Sequence, residues 1–131
     1  MEIEKKYHFY AAHRNEYLEG KCQNLHGHTY YVHVRLKFTQ TDESGVTMLF
    51  ESIDDIIDPI IAGLDHCMLI HEKDEALLEA ANLLHSKRVV FPHPTSAENL
   101  AKYLYNNISA ANLEVSEVRL QETTSSIVIY P

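Results

Sequence analysis

Apolar and polar positions alternate along residues 2–13. Ile3, Tyr7, Phe9 and Ala11 share one face with His13, while Glu2, Glu4, Lys6 and His8 share the other. Residues 28–38 alternate more regularly. Tyr30, Val32, Val34, Leu36 and Phe38 fall in phase with His28, opposite Thr29, His33, Arg35 and Lys37. A period of two predicts a half-buried strand in each stretch. The polar run from Gln40 to Gly45 then turns the chain. Over residues 52–64 the period lengthens: Ile53, Ile56, Ile57, Ile60, Ile61 and Leu64 recur at helical spacing. Ser52 is the expected N-cap, and Pro59 is expected to kink or divide the helix. Residues 74–85 read as a short helix. Thr95 to Glu98 reads as a capping box before a longer helix, whose buried stripe is Leu100, Tyr103, Leu104 and Ile108. Val118 and Leu120, then Ser126 to Tyr130, return to strand. The order is two strands, helices, two strands. It predicts an α+β fold with a four-stranded antiparallel sheet and helices on one face.

Length and charge narrow the function. The 131 residues suit a single domain spanning 1–131, and the net charge of −8 disfavours nucleic acid or an anionic membrane surface as partner. A small phosphorylated substrate stays open, since a metal and a few local cations can bind one. The charged start, Met1-Glu2-Ile3-Glu4-Lys5-Lys6, shows no apolar leader, and no apolar run approaches membrane-spanning length. Two cysteines, Cys22 and Cys67, make no disulfide framework, so a cytoplasmic location is expected.

The chemistry concentrates early. His13 continues the apolar face of the first strand, and His26 and His28 that of the second. If those strands pair, three imidazoles meet at one end of the sheet, on the helix-covered side. Three imidazoles buried without a partner are costly, and a metal supplies the partner. Three protein ligands leave a fourth position open, the arrangement of catalytic zinc. His8 and His33 face the other way; His71, His85 and His93 read as surface histidines. Glu122 is in phase with Val118 and Leu120 and so points inward. Arg119 faces away from it, leaving either another cation or a ligand with adjacent N–H groups, such as a pterin or guanine ring, as its partner. Asp65-His66 is either a proton-transfer pair or a helix-end cap. Cys22 is either a small buried hydrophobe or, beside zinc, a thiol acidic enough for base chemistry.

Together these residues resemble the 6-pyruvoyltetrahydropterin synthase and 6-carboxytetrahydropterin synthase family. The resemblance runs through Phe9-Tyr10-Ala11-Ala12-His13-Arg14, Cys22 with His26-Gly27-His28, Leu64-Asp65-His66, Pro94 to Ala101, and Gln121-Glu122-Thr123. It implies a tunnelling fold whose sheets join into an oligomeric barrel, a homohexamer of two stacked trimers with active sites between subunits. It further implies that His13, His26 and His28 bind zinc, and that Cys22 is the general base. Asp65 and His66 would be its proton-transfer partners, supplied by a neighbouring subunit. Glu122 would anchor the pterin, with Thr95 lining its pocket. Arg14, Lys21, Lys87 and Arg88 are candidate triphosphate contacts.

Three residues separate Cys22 from His26, as in the 6-carboxytetrahydropterin synthases of the queuosine pathway. The implied reaction converts 7,8-dihydroneopterin triphosphate to 6-carboxy-5,6,7,8-tetrahydropterin, acetaldehyde and triphosphate. A sister activity, 6-pyruvoyltetrahydropterin formation or related side-chain cleavage, is the alternative. A non-catalytic zinc protein that binds pterin or purine is the alternative of another class. Two positions depart from the family pattern: Leu49 stands where many members have Asp, and Ile70 where many have Asn.

Overall fold

The computed structural model describes residues 1–131. Strand β1 runs Glu2–His13, and β2 runs His26–Lys37. Helix α1 (Phe50–Ala62), strand β3 (Cys67–His71), helix α2 (Glu75–Leu84), strand β4 (Arg88–Phe91) and helix α3 (Ala97–Ala110) follow. Strands β5 (Val115–Thr123) and β6 (Ser126–Tyr130) close the chain. All six strands form one sheet in the order β4-β3-β1-β2-β5-β6. The α+β class and the face covered by α1 and α3 are as expected, but the sheet is larger and mixed, and α2 packs on the opposite face of β3. β3 pairs parallel to β1, and β4 parallel to β3. β3 escapes a period-two reading because it is buried at all five positions and shows no alternation, and β4 because it is only four residues long.

Strands β1 and β2 pair antiparallel from Glu2 opposite Lys37 to His13 opposite His26. The inward face of Phe9, Tyr30, Val32, Val34, Leu36, Val118 and Leu120 is fully buried. Ile53, Ile57 and Ile61 of α1, with Leu100, Leu104 and Ile108 of α3, pack on that face in a single cluster. Helix α2 sits apart: Leu77 and Ala81 pack on Met68 and Ile70. Ile70 is therefore a core residue here, on a strand rather than in a loop. No helix is long and apolar enough to cross a membrane.

The helix starts differ from expectation in two places. Helix α1 begins at Phe50 behind Leu49, which caps nothing with its side chain, so Ser52 lies inside the helix. The helix also runs through Pro59 without a break. The carbonyl that Pro59 leaves unpaired belongs to Asp55, which is exposed to water. Helix α3 is capped by Ser96, whose Oγ accepts from Asn99 N–H, so the cap is shifted one residue from Thr95. Helix α2 is capped by Asp74, which also takes both donors of a forked pair with Arg14 at 2.6 and 2.7 Å.

Two stability predictions follow from these ends. Leu49→Asp supplies the missing acceptor at α1 and should raise unfolding stability in urea by about 1 kcal/mol. Asp74→Asn should lower it by roughly 2 kcal/mol at pH 7, because it removes the charge from a forked pair whose carboxylate is buried and whose guanidinium is partly exposed. The Arg14 guanidinium holds the Asp74 carboxyl below the usual carboxylate range. Its contribution is thus complete above the unfolded pKa and disappears as pH falls through the depressed folded value. Urea titrations at pH 7 and in strong acid should show the gap between wild type and Asp74→Asn closing.

Candidate functional site

The β1–β2 register builds the imidazole cluster directly. His13 ends β1 opposite His26, which begins β2, and His28 stands opposite Ala11. Alternation puts His26 and His28 on one face. Ring centroids are 4.8 Å apart for His13–His26 and His26–His28, and 5.2 Å for His13–His28. One nitrogen from each ring lies within 4.8 Å of the others. Gly27 lies between His26 and His28 on the opposite face, where a Cβ would sit 3.3 Å from the Ala11 carbonyl oxygen.

Backbone carbonyls orient two of the rings. His13 Nδ1 donates to Thr95 O at 2.7 Å, and His26 Nδ1 donates to Asn24 O at 2.6 Å. A carbonyl can only accept, so each Nδ1 carries the proton and each Nε2 keeps its lone pair. Nε2 of His13 and of His28 are both buried without a hydrogen-bond partner. His28 Nε2 lies 3.2 Å from Glu122 Oε1, a close approach that lacks hydrogen-bonding geometry. Burial, reinforced by the neighbouring imidazoles, lowers the His13 pKa to about 4, and burial lowers that of His28 as well. These rings are neutral at pH 7, the state that ligates metal. Orphaned lone pairs converging in a water-poor corner fit a transition-metal ion.

A cavity of about 330 Å³ opens beside the cluster, lined by His13, Cys22, His26, Glu98 and Glu122 among others. Cys22 is exposed on a single 3-10 turn, Lys21–Gln23, so it is not a buried hydrophobe. Glu122 is half-buried and faces the cavity, whereas Arg119 approaches Glu117 on the other face of the sheet. Burial raises the Glu122 pKa, opposed by His26 and reinforced by Glu98.

Two expected substrate contacts have other work. Thr95 is only 1 % exposed and holds His13, while Ser96 beside it lines the cavity. The Arg14 guanidinium is committed to Asp74.

The loop carrying Cys22 has anchors that the sequence did not reveal. Asn15 N–H donates to Cys22 O at 2.9 Å. Glu16 accepts from Nδ1 of His71. His71 is buried rather than on the surface, because it ends β3 and closes over Glu16. Nothing local marks it, since its partner lies 55 residues away.

Asp65 and His66 stand elsewhere. They form a pair, with His66 Nδ1 donating to Asp65 Oδ2 at 2.8 Å. Tyr10 N–H, then His66, hold the Asp65 carboxyl below the usual range. His66 lines a separate cavity of about 550 Å³ with Tyr10, Gly27, His28, Thr29 and Lys87. Within one chain, His66 and Cys22 thus line different cavities, and His28 borders both the His66 cavity and the imidazole cluster.

Comparison with known proteins gives a consistent picture. The model of the family described as 6-pyruvoyl tetrahydropterin synthase matches residues 2–131. A 6-carboxy-5,6,7,8-tetrahydropterin synthase of Haemophilus influenzae is 31% identical over 138 residues, covering 99% of this chain and 98% of its own. A protein of the same name from Rickettsia felis is 30% identical over 95% of both chains. The structure of Caenorhabditis elegans 6-pyruvoyl tetrahydropterin synthase superposes with a TM-score of 0.73 at 22% identity, over 99% of this chain and 94% of that one. That likeness shows the tunnelling fold.

The imidazole geometry predicts one tight transition-metal site per chain. Cobalt(II) titration should give the intense visible bands of a tetrahedral site, and His28→Gln should weaken binding by about 100-fold or more. Chelation should leave the far-ultraviolet circular dichroism intact, because a 21-residue apolar cluster holds the sheet to α1 and α3 without the ion.

Proposed function

The chain belongs to the 6-pyruvoyl tetrahydropterin synthase family, and from that membership we propose a zinc-dependent carbon–carbon lyase. Its substrate is 7,8-dihydroneopterin triphosphate, and its products are 6-carboxy-5,6,7,8-tetrahydropterin, acetaldehyde and triphosphate, as in queuosine biosynthesis. The observation that carries the reading is the meeting of three imidazole nitrogens beside a cavity that a thiol and an inward carboxylate line. Relatives named 6-carboxy-5,6,7,8-tetrahydropterin synthase support this branch over its sister activities.

His13, His26 and His28 would hold the zinc, which when bound supplies Lewis acidity to the substrate side chain. The remaining roles belong to the chain. Glu122, acceptor-only when ionised, takes the adjacent N–H donors of the pterin ring and sets its orientation in the cavity. Cys22, on its anchored turn, removes the proton from the side-chain carbon. His66 keeps a lone pair on Nε2 because Nδ1 donates to Asp65, and it moves the second proton. Cys22 and His66 line different cavities, so a neighbouring copy is proposed to supply the Asp65–His66 pair. That split calls for an oligomer, and the homohexamer of two trimers proposed here is the one the family resemblance implies, built from single 1–131 domains in the cytoplasm.

The test is mass spectrometry of products after zinc-loaded protein meets 7,8-dihydroneopterin triphosphate. The expected products are 6-carboxytetrahydropterin and acetaldehyde. A different pterin would assign a sister activity, and unchanged substrate with zinc bound would sink the lyase reading. Cys22→Ala should lower kcat by about 10²- to 10⁴-fold, the range for losing a general base, while zinc content stays at wild-type level.

A further inference from the structure

His66 holds a backbone conformation that side-chain-bearing residues rarely adopt, with φ of +55°. Such a residue persists only where its surroundings over-determine it, and such strain gathers at functional positions. Two groups of contacts do this here. From β1, Tyr10 N–H donates to Asp65 Oδ1 at 2.9 Å, and the Tyr10 carbonyl accepts from His66 N–H at 2.6 Å. From the segment before β4, Lys87 Nζ donates to Ala62 O at 2.8 Å and to Asp65 O at 2.9 Å. The Lys87 carbonyl in turn accepts from Met68 N–H at 2.9 Å. Lys87 therefore brackets residues 62–68, with its side chain at one end and its backbone at the other.

The ammonium is well matched to this place. The last carbonyls of a helix lack helical partners, and the C-terminal end of the helix dipole favours a cation. Ala62 ends α1, and Asp65 lies three residues beyond. Two of the other candidate cations are occupied differently: Arg14 by Asp74, and Arg88 by Asn82 and by the carbonyls of Ala81 and Ser86. Lys87 lines the His66 cavity, yet two of its three donors point into the turn and not at a ligand.

We propose that Lys87 is a positioning residue for the Asp65–His66 pair. Its ammonium ties the carbonyls of Ala62 and Asp65 together, and so holds His66 in the left-handed conformation that lets Nδ1 meet Asp65. This rests on the reading of Asp65 and His66 as the proton-transfer pair of the lyase. It replaces the expectation that Lys87 contacts the triphosphate.

The experiment compares wild type, Lys87→Met and Lys87→Arg as full-length, zinc-loaded protein. Hydrogen-exchange mass spectrometry of the peptide spanning residues 62–68 reads the turn without reference to turnover. Lys87→Met should speed exchange at His66 and its neighbours by about 10-fold or more, while the other peptides stay protected. Lys87→Arg, which can donate to the same carbonyls, should restore protection. With 7,8-dihydroneopterin triphosphate, Lys87→Met should lower kcat by about 10- to 100-fold, the cost of misplacing a reacting group, with KM unchanged. Lys87→Arg should recover most of that rate. A raised KM with unchanged kcat and unchanged exchange would overturn the proposal and make Lys87 a substrate contact. Unchanged exchange with unchanged kinetics would also overturn it. If wild type turns over no pterin triphosphate, the lyase reading fails, and the exchange comparison still decides what Lys87 does to the turn.

Discussion

The register between β1 and β2 governs both the core and the chemistry. With Phe9 opposite Tyr30 and His13 opposite His26, one alternating face carries apolar side chains over most of its length and imidazoles at its end. A slip of one residue would turn Tyr30, Val32, Val34 and Leu36 outward together with His26 and His28. The apolar side chains thus enforce the alignment that the histidines need. The stacked rings of Phe9 and Tyr30, 4.8 Å apart, lie at the boundary between the two regions.

Polar burial is concentrated at that same end. His13, His71, Asp74 and Thr95 are the buried polar residues, and all serve the cluster or the loop and helix around it. Most are satisfied by specific partners: Thr95 O for His13, Glu16 for His71, Arg14 for Asp74. The Nε2 atoms of His13 and His28 lack partners, as do Glu16 Oε2, the Tyr30 hydroxyl and Arg119 Nε. Leaving a buried polar atom unpaired costs about 1–3 kcal/mol. An ion that binds only the folded chain offsets that cost, and stability becomes linked to metal activity.

Much of this was legible in the sequence, and the failures share a physical cause. Alternation located β1, β2 and β5, and helical spacing located α1 and α3, because each buries one face; β6 and α2 were read from runs of strand-forming and helix-forming residues. β3 was missed because a strand covered on both faces carries no period, and β4 because its four residues are too few to show one. The inward phase of His13, His26, His28 and Glu122 was visible for the same reason that their strands were. The roles of Thr95 and His71 were not, since they depend on partners 82 and 55 residues away. Neither were the commitments of Arg14 and Lys87, because a cation's sequence neighbours do not say which oxygens it will meet. Ser96 in place of Thr95 as the cap of α3 is a smaller error: two adjacent hydroxyls offer the same signal, and the His13 contact decides between them.

The placement of Cys22 and His66 in different cavities has a genetic consequence. If each reaction centre takes its thiol from one chain and its Asp–His pair from another, inactivating alleles of the two kinds damage different halves of a shared centre. Coexpressed, a Cys22 allele and a His66 allele would rebuild some intact centres in mixed assemblies, and a cell carrying both would regain part of the lost function. Two Cys22 alleles together would regain none. Such interallelic rescue would be the inherited trace of a geometry in which no single polypeptide holds the whole reaction.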